Sequence, residues 1–156
     1  MSVAVVILNY NGKAFLSKFL PKVISTSPEG VIYVADNGST DDSVAFVQSE
    51  FPQVKLIHSS QNLGYTGGYN YALKQIDAEY YVLMNSDIEP KEHWLGNLLT
   101  YFHANPHVAA AQPFILSYQE PHKFEYAGAA GGYWDRYGYA FCRGRIFDTI
   151  ENQTNQ

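Results

Sequence analysis

Positive charge is scarce in this sequence: ten Lys and Arg against fifteen Asp and Glu leave a formal charge of −5. A general nucleic-acid binder gathers its cations into a basic face, and no such run occurs, so that class is disfavoured. Any phosphate-bearing partner must then be held by something other than bulk positive charge. Cysteine is scarcer still. Cys142 is the only one, which precludes an internal disulfide and a Cys-based metal site, fits a reducing compartment and reads as a packing residue. The apolar run at 3–8 is six residues long and has no basic stretch before it. It therefore predicts neither a signal peptide nor a membrane span, and the expected address is the cytoplasm, including the inner face of the membrane. Glycine fingerprints are missing too. The first turn, Asn9-Tyr10-Asn11-Gly12, lacks the Gly-x-Gly-x-x-Gly pattern of dinucleotide binding, and no Gly-Lys-Ser/Thr loop occurs anywhere. An NAD-dependent oxidoreductase and a P-loop nucleotidase are both disfavoured. His58, His93, His103, His107 and His122 show no metal-ligand spacing, so surface or core roles are expected of them. There is no internal repeat.

What is present is the composition of a globular domain, with 46% apolar and 16% charged residues over 156 positions, enough to bury a core. Thirteen Tyr suit stacking surfaces as well as ordinary packing. Along the chain, apolar β-branched runs at 3–8, 31–35, 54–58, 80–84 and 108–112 predict strands. Helical spacing of Phe15, Leu16, Phe19, Leu20, Val23 and Ile24 predicts a helix over 14–24. Further helices are predicted from a cap at Thr40 or Asp41 to Phe51, over 69–76, and from Pro90 to about Ala104. Strands alternating with helices imply right-handed crossovers: an α/β fold with a mainly parallel sheet and helices on both faces. Past Pro113 the pattern fades into Gly and aromatics, notably over 126–139, consistent with irregular antiparallel strands. Residues 151–156 read as a polar tail.

In an open parallel sheet, ligands bind beyond the carboxyl ends of the strands. Those ends are polar here: Asn9, Tyr10 and Asn11 after the first run, Asp36 and Asn37 after the second, Asn85, Ser86, Asp87 and Glu89 after the fourth. Turn chemistry alone favours Asn, Asp and Gly at any one of these places, but three such ends on one edge point to a site. Asp36 stands where a dinucleotide fold puts the acid that holds a ribose hydroxyl. Asp87 offers a hard oxygen to Mg²⁺ or Mn²⁺, which takes one or two carboxylates plus substrate phosphates. The other reading is that Asp87 or Glu89 simply begins the helix at Pro90. In 62–70, glycines and two Asn side chains precede a helix, an arrangement open to close backbone approach and to an anion. Arg143 and Arg145 form the only close arginine pair; contact with a diphosphate and pairing with Asp135 or Asp148 are the two roles open to them, and the pairing is favoured.

Taken in order, VVILNYNG, VADNGSTDDS, NLGYTGGYN and LMNSDIEP, followed by GAAGGYWDRYG and FCRGRIFD, resemble the nucleotide-sugar half of inverting family 2 glycosyltransferases. Those enzymes have the Rossmann-like GT-A fold, and the likeness is nearest to the rhamnosyltransferase-like branch. It spans residues 3–148 and implies a nucleotide-diphospho-sugar-binding domain over 1–150. By position, the resemblance implies that Asn9 and Tyr10 line the base pocket and that Asp36 and Asn37 hold base or ribose. Asn62, Gly64, Gly68 and Asn70 would shape the wall facing the sugar-diphosphate. Asn85-Ser86-Asp87 falls on the family's Asp-x-Asp site, with Asp87 as metal ligand and Asn85 replacing the first Asp. The implied partners are a UDP- or dTDP-sugar donor and a glycan or lipid-linked acceptor in polysaccharide biosynthesis. Homo-oligomerisation and peripheral membrane association are compatible with it. The resemblance also implies that the general base lies beyond the end of this chain. The alternative class is a non-catalytic nucleotide-sugar-binding or interaction domain.

Overall fold

Residues Val3–Asn9 form strand β1, and all but Leu8 are buried. That explains the unbroken apolar run, since a strand covered on both faces has no solvent side to alternate with. The computed structural model describes residues 2–125, 131–142, 145–146 and 149–150. From β1 the chain runs through α1 (Lys13–Thr26), β2 (Val31–Asn37), α2 (Ser43–Glu50), β3 (Lys55–Ser59), α3 (Gly64–Leu73), β4 (Tyr80–Asn85) and α4 (Trp94–Ala104). Two compact units result, Met1–Asn105 and Pro106–Gln156.

In the first unit the four strands are parallel, in the order β3-β2-β1-β4. The chain steps outward from β1 to β2 to β3, then returns to the opposite flank of β1. Right-handed crossovers then require α1 and α2 on one face and α3 on the other, and the core is divided that way. One layer joins Val3, Val5, Ile7 and Val34 to Leu16, Leu20 and Val23 of α1, Val47 of α2 and Leu95 of α4. The other joins Ala4, Val6 and Ala35 to Tyr69 and Ala72 of α3 and to Ile76. The reversal between β1 and β4 is a topological switch point, the place at the strands' carboxyl ends where open α/β sheets bind their ligands.

Three predicted elements differ from the fold observed. Residues 108–112 form no strand: Val108 is the only β-branched residue there, and three alanines offer too little side chain to hold a place in the sheet. The helix expected near Tyr69 instead begins at Gly64, because packing of Gly68, Tyr69 and Ala72 against the sheet outweighs the poor helix propensity of glycine. The last helix starts at Trp94 rather than Pro90. Pro90 is buried, and His93, with φ 59°, turns the chain before the helix can begin. Trp94 then anchors it by donating Nε1–H to Ser27 Oγ at 3.1 Å.

The second unit contains an antiparallel bridge between Leu116 and Phe124, packed on Ile115, and two short antiparallel pairs. These are β5 (Gly132–Trp134) with β6 (Ala140–Cys142), and β7 (Arg145–Ile146) with β8 (Thr149–Ile150). Asp135 shapes the β5–β6 turn by accepting the Tyr137 and Tyr139 N–H groups at 2.8 and 3.0 Å. The fold is thus α/β and Rossmann-like, with a short irregular and antiparallel C-terminal part. Arg143, Asp148 and residues 151–156 lie outside the described residues, and of Arg145 only the backbone is described. No helix among the described residues is long and apolar enough to cross a membrane.

Candidate functional site

Parallel pairing sets Asn9 opposite Asp36 and Asp36 opposite His58, so three polar side chains stand in one row at the carboxyl ends of β1, β2 and β3. They are hydrogen-bonded along that row. Asn9 Nδ2 donates to Asp36 Oδ2 at 3.0 Å and to Ser39 Oγ at 3.2 Å, while Asp36 Oδ1 takes the Ser39 N–H and meets His58 Nδ1, both at 3.0 Å. Asp36 is 2% exposed and Asn9 fully buried. Burial alone would raise the Asp36 pKa, but the hydrogen bonds from Ser39, Asn9 and His58 outweigh it and hold the carboxyl below its ordinary range. Asn9 Oδ1 is buried without a hydrogen-bond partner. It faces Gly12, where a Cβ would come within 2.3 Å of it and within 3.2 Å of Ser86 Oγ. Any larger residue at 12 would close the junction between the β1 and β4 ends.

The turns that follow these strands are tied together. Asn11, at φ 51°, accepts the Thr40 N–H on Oδ1 at 2.7 Å and donates its own N–H to Ser39 Oγ at 2.9 Å. Asp41 bridges two helix starts, with one oxygen taking the Lys13 N–H at 3.1 Å and the other the Ser43 N–H at 3.0 Å. A carboxylate suits both positive helix ends, but the residue at the N-cap of α2 is Asp42, whose side chain makes no capping hydrogen bond, and not Thr40 or Asp41 as expected. The Asp41 pKa is lowered: desolvation pushes upward, but hydrogen bonds from Ser43 and Lys13 prevail.

On the other face of the sheet, Asn37 spends its whole side chain on the turn before α3. Its Nδ2 donates to Asn62 Oδ1 at 3.0 Å and to the Gly64 carbonyl at 3.1 Å, and its Oδ1 accepts the Leu63 N–H at 3.0 Å. Two glycines make that turn possible. Gly38 (φ 78°) has the backbone of Gln61 and Asn62 where a Cβ would sit, and Gly64 (φ 72°) faces open space. Gly68 is buried, and a Cβ there would meet Leu8 Cδ1 at 2.8 Å and Asn37 Cγ at 3.0 Å. Gly68 therefore sets how closely α3 lies on the sheet. Asn62 and Asn70 are exposed, and Asn70 sits well inside α3 rather than ahead of it. Tyr10 and Tyr65 are exposed at the same edge, Tyr65 edge-on to Tyr69, whose hydroxyl donates to the Met84 carbonyl at 2.9 Å. Burial pushes the Tyr69 pKa far up, so that hydroxyl stays protonated.

After β4 the chemistry changes. Asn85, Asp87 and Glu89 are exposed, and among the described residues no hydrogen bond or ion pair reaches Asp87. Because α4 begins seven residues later, Asp87 cannot be its cap. That excludes the reading in which Asp87 merely starts a helix. No group of three or more His, Cys, Asp or Glu able to hold a metal occurs among the described residues. A single open carboxylate fits a cation that takes its remaining ligands from phosphate and water, and does not fit an all-protein cage. The structure thus joins Asn9 to Asp36 and Asn37 to Asn62, Gly64 and Gly68, whereas no described hydrogen bond links Tyr10, Asn70, Asn85 or Asp87 to those groups. Sequence reasoning missed His58 and Ser39; it counted Asn11 among the polar strand ends without its bonds to the β2 turn, and gave Asp41 only a capping role. For His58 the signal was its place at the end of the third run, in step with Asp36.

The family model described as Glycosyl transferase family 2 matches residues 4–154. Among curated proteins, the chain is 25% identical over 117 residues to an uncharacterized glycosyltransferase of Haemophilus influenzae, covering 72% of this chain and 36% of that protein. It is 28% identical over 107 residues to another from Nostoc sp., covering 65% and 33% respectively. The chain therefore spans about a third of the length of these relatives. Among solved structures, the mannosyltransferase PcManGT from Pyrobaculum calidifontis in complex with GDP-Man and Mn²⁺ superposes with a TM-score of 0.65 at 22% identity, over 72% of this chain and 35% of that one. S. aureus TarS 1-349 in complex with UDP-GlcNAc gives 0.59 at 23% identity, over 68% and 32%. At these identities the likeness shows the fold.

Proposed function

Because the chain belongs to glycosyl transferase family 2, we propose that it is the donor domain of an inverting glycosyltransferase that builds a glycan or cell-surface polysaccharide. The donor is a nucleoside-diphosphate sugar, UDP- or dTDP-linked, and the acceptor a glycan or lipid-linked hydroxyl. The observation that carries this reading is the contrast along one sheet edge. The Asn9–Asp36–His58 row and the Asn37–Asn62 turn are tied together by hydrogen bonds, as suits a nucleoside platform, while Asp87 stands open beside the switch point. Tyr10 offers a ring face to the base, Asn9, Asp36 and Asn37 hold the platform under it, and Asn62, Gly64, Gly68 and Asn70 form the wall toward the sugar-diphosphate. Asn85 and Asp87 face the diphosphate, with Asp87 holding Mg²⁺ or Mn²⁺.

A bound divalent ion would supply the positive charge that a chain of net charge −5 lacks, and would stabilise the departing nucleoside diphosphate. The chain's own part is positional: it fixes the nucleoside so that the anomeric carbon faces the acceptor hydroxyl, whose proton a carboxylate takes as the bond to the diphosphate breaks. A thermal-shift series with UDP, dTDP and GDP compounds, with and without Mn²⁺, tests this. At a hundredfold excess over Kd, about 2.7 kcal/mol of added stability is expected with metal present. Equal stabilisation in excess EDTA would remove the metal bridge, and no stabilisation by any sugar nucleotide would remove the donor site.

A further inference from the structure

Of the row Asn9–Asp36–His58, only the last member reaches solvent. Asn9 is fully buried and Asp36 is 2% exposed, whereas the His58 side chain is 48% exposed. A carboxylate held in its ionised form accepts hydrogen bonds and does not donate, so the 3.0 Å contact between Asp36 Oδ1 and His58 Nδ1 requires the proton on Nδ1. In the neutral ring, Nε2 is then an acceptor, and among the described residues it has no partner. The backbone is also held here, because Tyr71 donates its hydroxyl to the His58 carbonyl at 3.3 Å. With the ring neutral, the side chain is a half-exposed acceptor of fixed tautomer at the sheet's ligand edge, next to the carboxylate expected beneath the nucleoside.

Resting on the donor-site reading above, we propose that His58 is the residue that reads the nucleobase, its Nε2 accepting the imino N–H of uracil, thymine or guanine. Cytosine and adenine present a lone pair at that position and would face Nε2 acceptor to acceptor. Losing that hydrogen bond, with the acceptor left unpaired, corresponds to about a tenfold preference for imino-bearing bases.

The test is calorimetric titration of the chain with UDP, GDP, CDP and ADP in Mn²⁺, repeated on His58→Asn. Asparagine places an amide N–H near the former Nδ1 position, so Asp36 stays satisfied while the outer acceptor is gone. A melting curve confirms that the variant is folded. The expected result is about a tenfold preference for UDP or GDP over CDP and ADP in the unmodified chain, falling to within about twofold in His58→Asn. An unmodified chain that binds all four equally, or a His58→Asn variant that keeps the full preference, overturns the assignment of His58 while leaving the donor site standing. An unmodified chain that binds none of them overturns the donor-site reading, and the assignment with it.

Discussion

Two aspartates follow apolar runs on the same edge of one sheet, and they have opposite surroundings. Asp36, after β2, is 2% exposed and accepts hydrogen bonds from Asn9, Ser39 and His58. Asp87, after β4, is exposed and accepts none from the described residues. The difference comes from the neighbours. The β2 end lies between two other strand ends and is roofed by the Ser39 turn, whereas β4 is an edge strand whose far side has no partner among the described residues. A carboxylate with its valences filled by the protein builds a site, and one left open is available to a ligand.

The largest effect that would test this contrast is on stability. Asp36→Ala leaves the Ser39 N–H without its acceptor and takes from Asn9 Nδ2 one of its two, at an expected cost of about 3 kcal/mol in urea denaturation. A loss under about 1 kcal/mol would mean that the row is not structural. The same carboxyl has a pH signature. Its folded pKa is lowered, so its contribution is present in full above the unfolded value of about 3.9 and disappears as pH falls through the lower folded value. Asp36→Asn should accordingly flatten the fall in stability below about pH 4; an unaltered acid limb would contradict the assignment. Next in size is Gly68→Ala, whose added methyl meets Leu8 and Asn37 and should cost about 1–3 kcal/mol by the same assay.

How much of this was legible beforehand depends on which force acts. Strands β1 and β2 were visible because a doubly covered strand must be apolar throughout, while β3 and β4, at the two edges of the sheet, are only partly buried and were marked by their apolar runs all the same; β1 to β4 fall within a few residues of those runs. The strand expected at 108–112 failed because alanine supplies hydrophobicity without the area or branching that a sheet needs. Helix α4 was misplaced because Pro90 looks like a first-turn residue, and nothing in the sequence announces the left-handed His93. Strand-end polarity located Asn9, Asp36, Asn37 and Asp87, but not their partners. Which of them would be sealed and which left open depends on strand order, and strand order is a long-range property. His58 was missed for that reason: its contact with Asp36 exists only once β3 pairs beside β2.

The smallest expected stability effect belongs to Asp87, the residue to which the proposed function assigns the metal. Asp87→Asn keeps the side chain's size, disturbs no described hydrogen bond, and should change stability by no more than about 0.5 kcal/mol. The decisive measurement is therefore a calorimetric titration of UDP into the chain and into Asp87→Asn, each with Mn²⁺ and with EDTA. The account predicts that Mn²⁺ strengthens binding at least about tenfold in the unmodified chain and has little effect in Asp87→Asn, since an amide is a poor substitute for a charged oxygen toward a hard cation. An Asp87→Asn variant that retains the full Mn²⁺ enhancement would contradict the division of labour between the two aspartates.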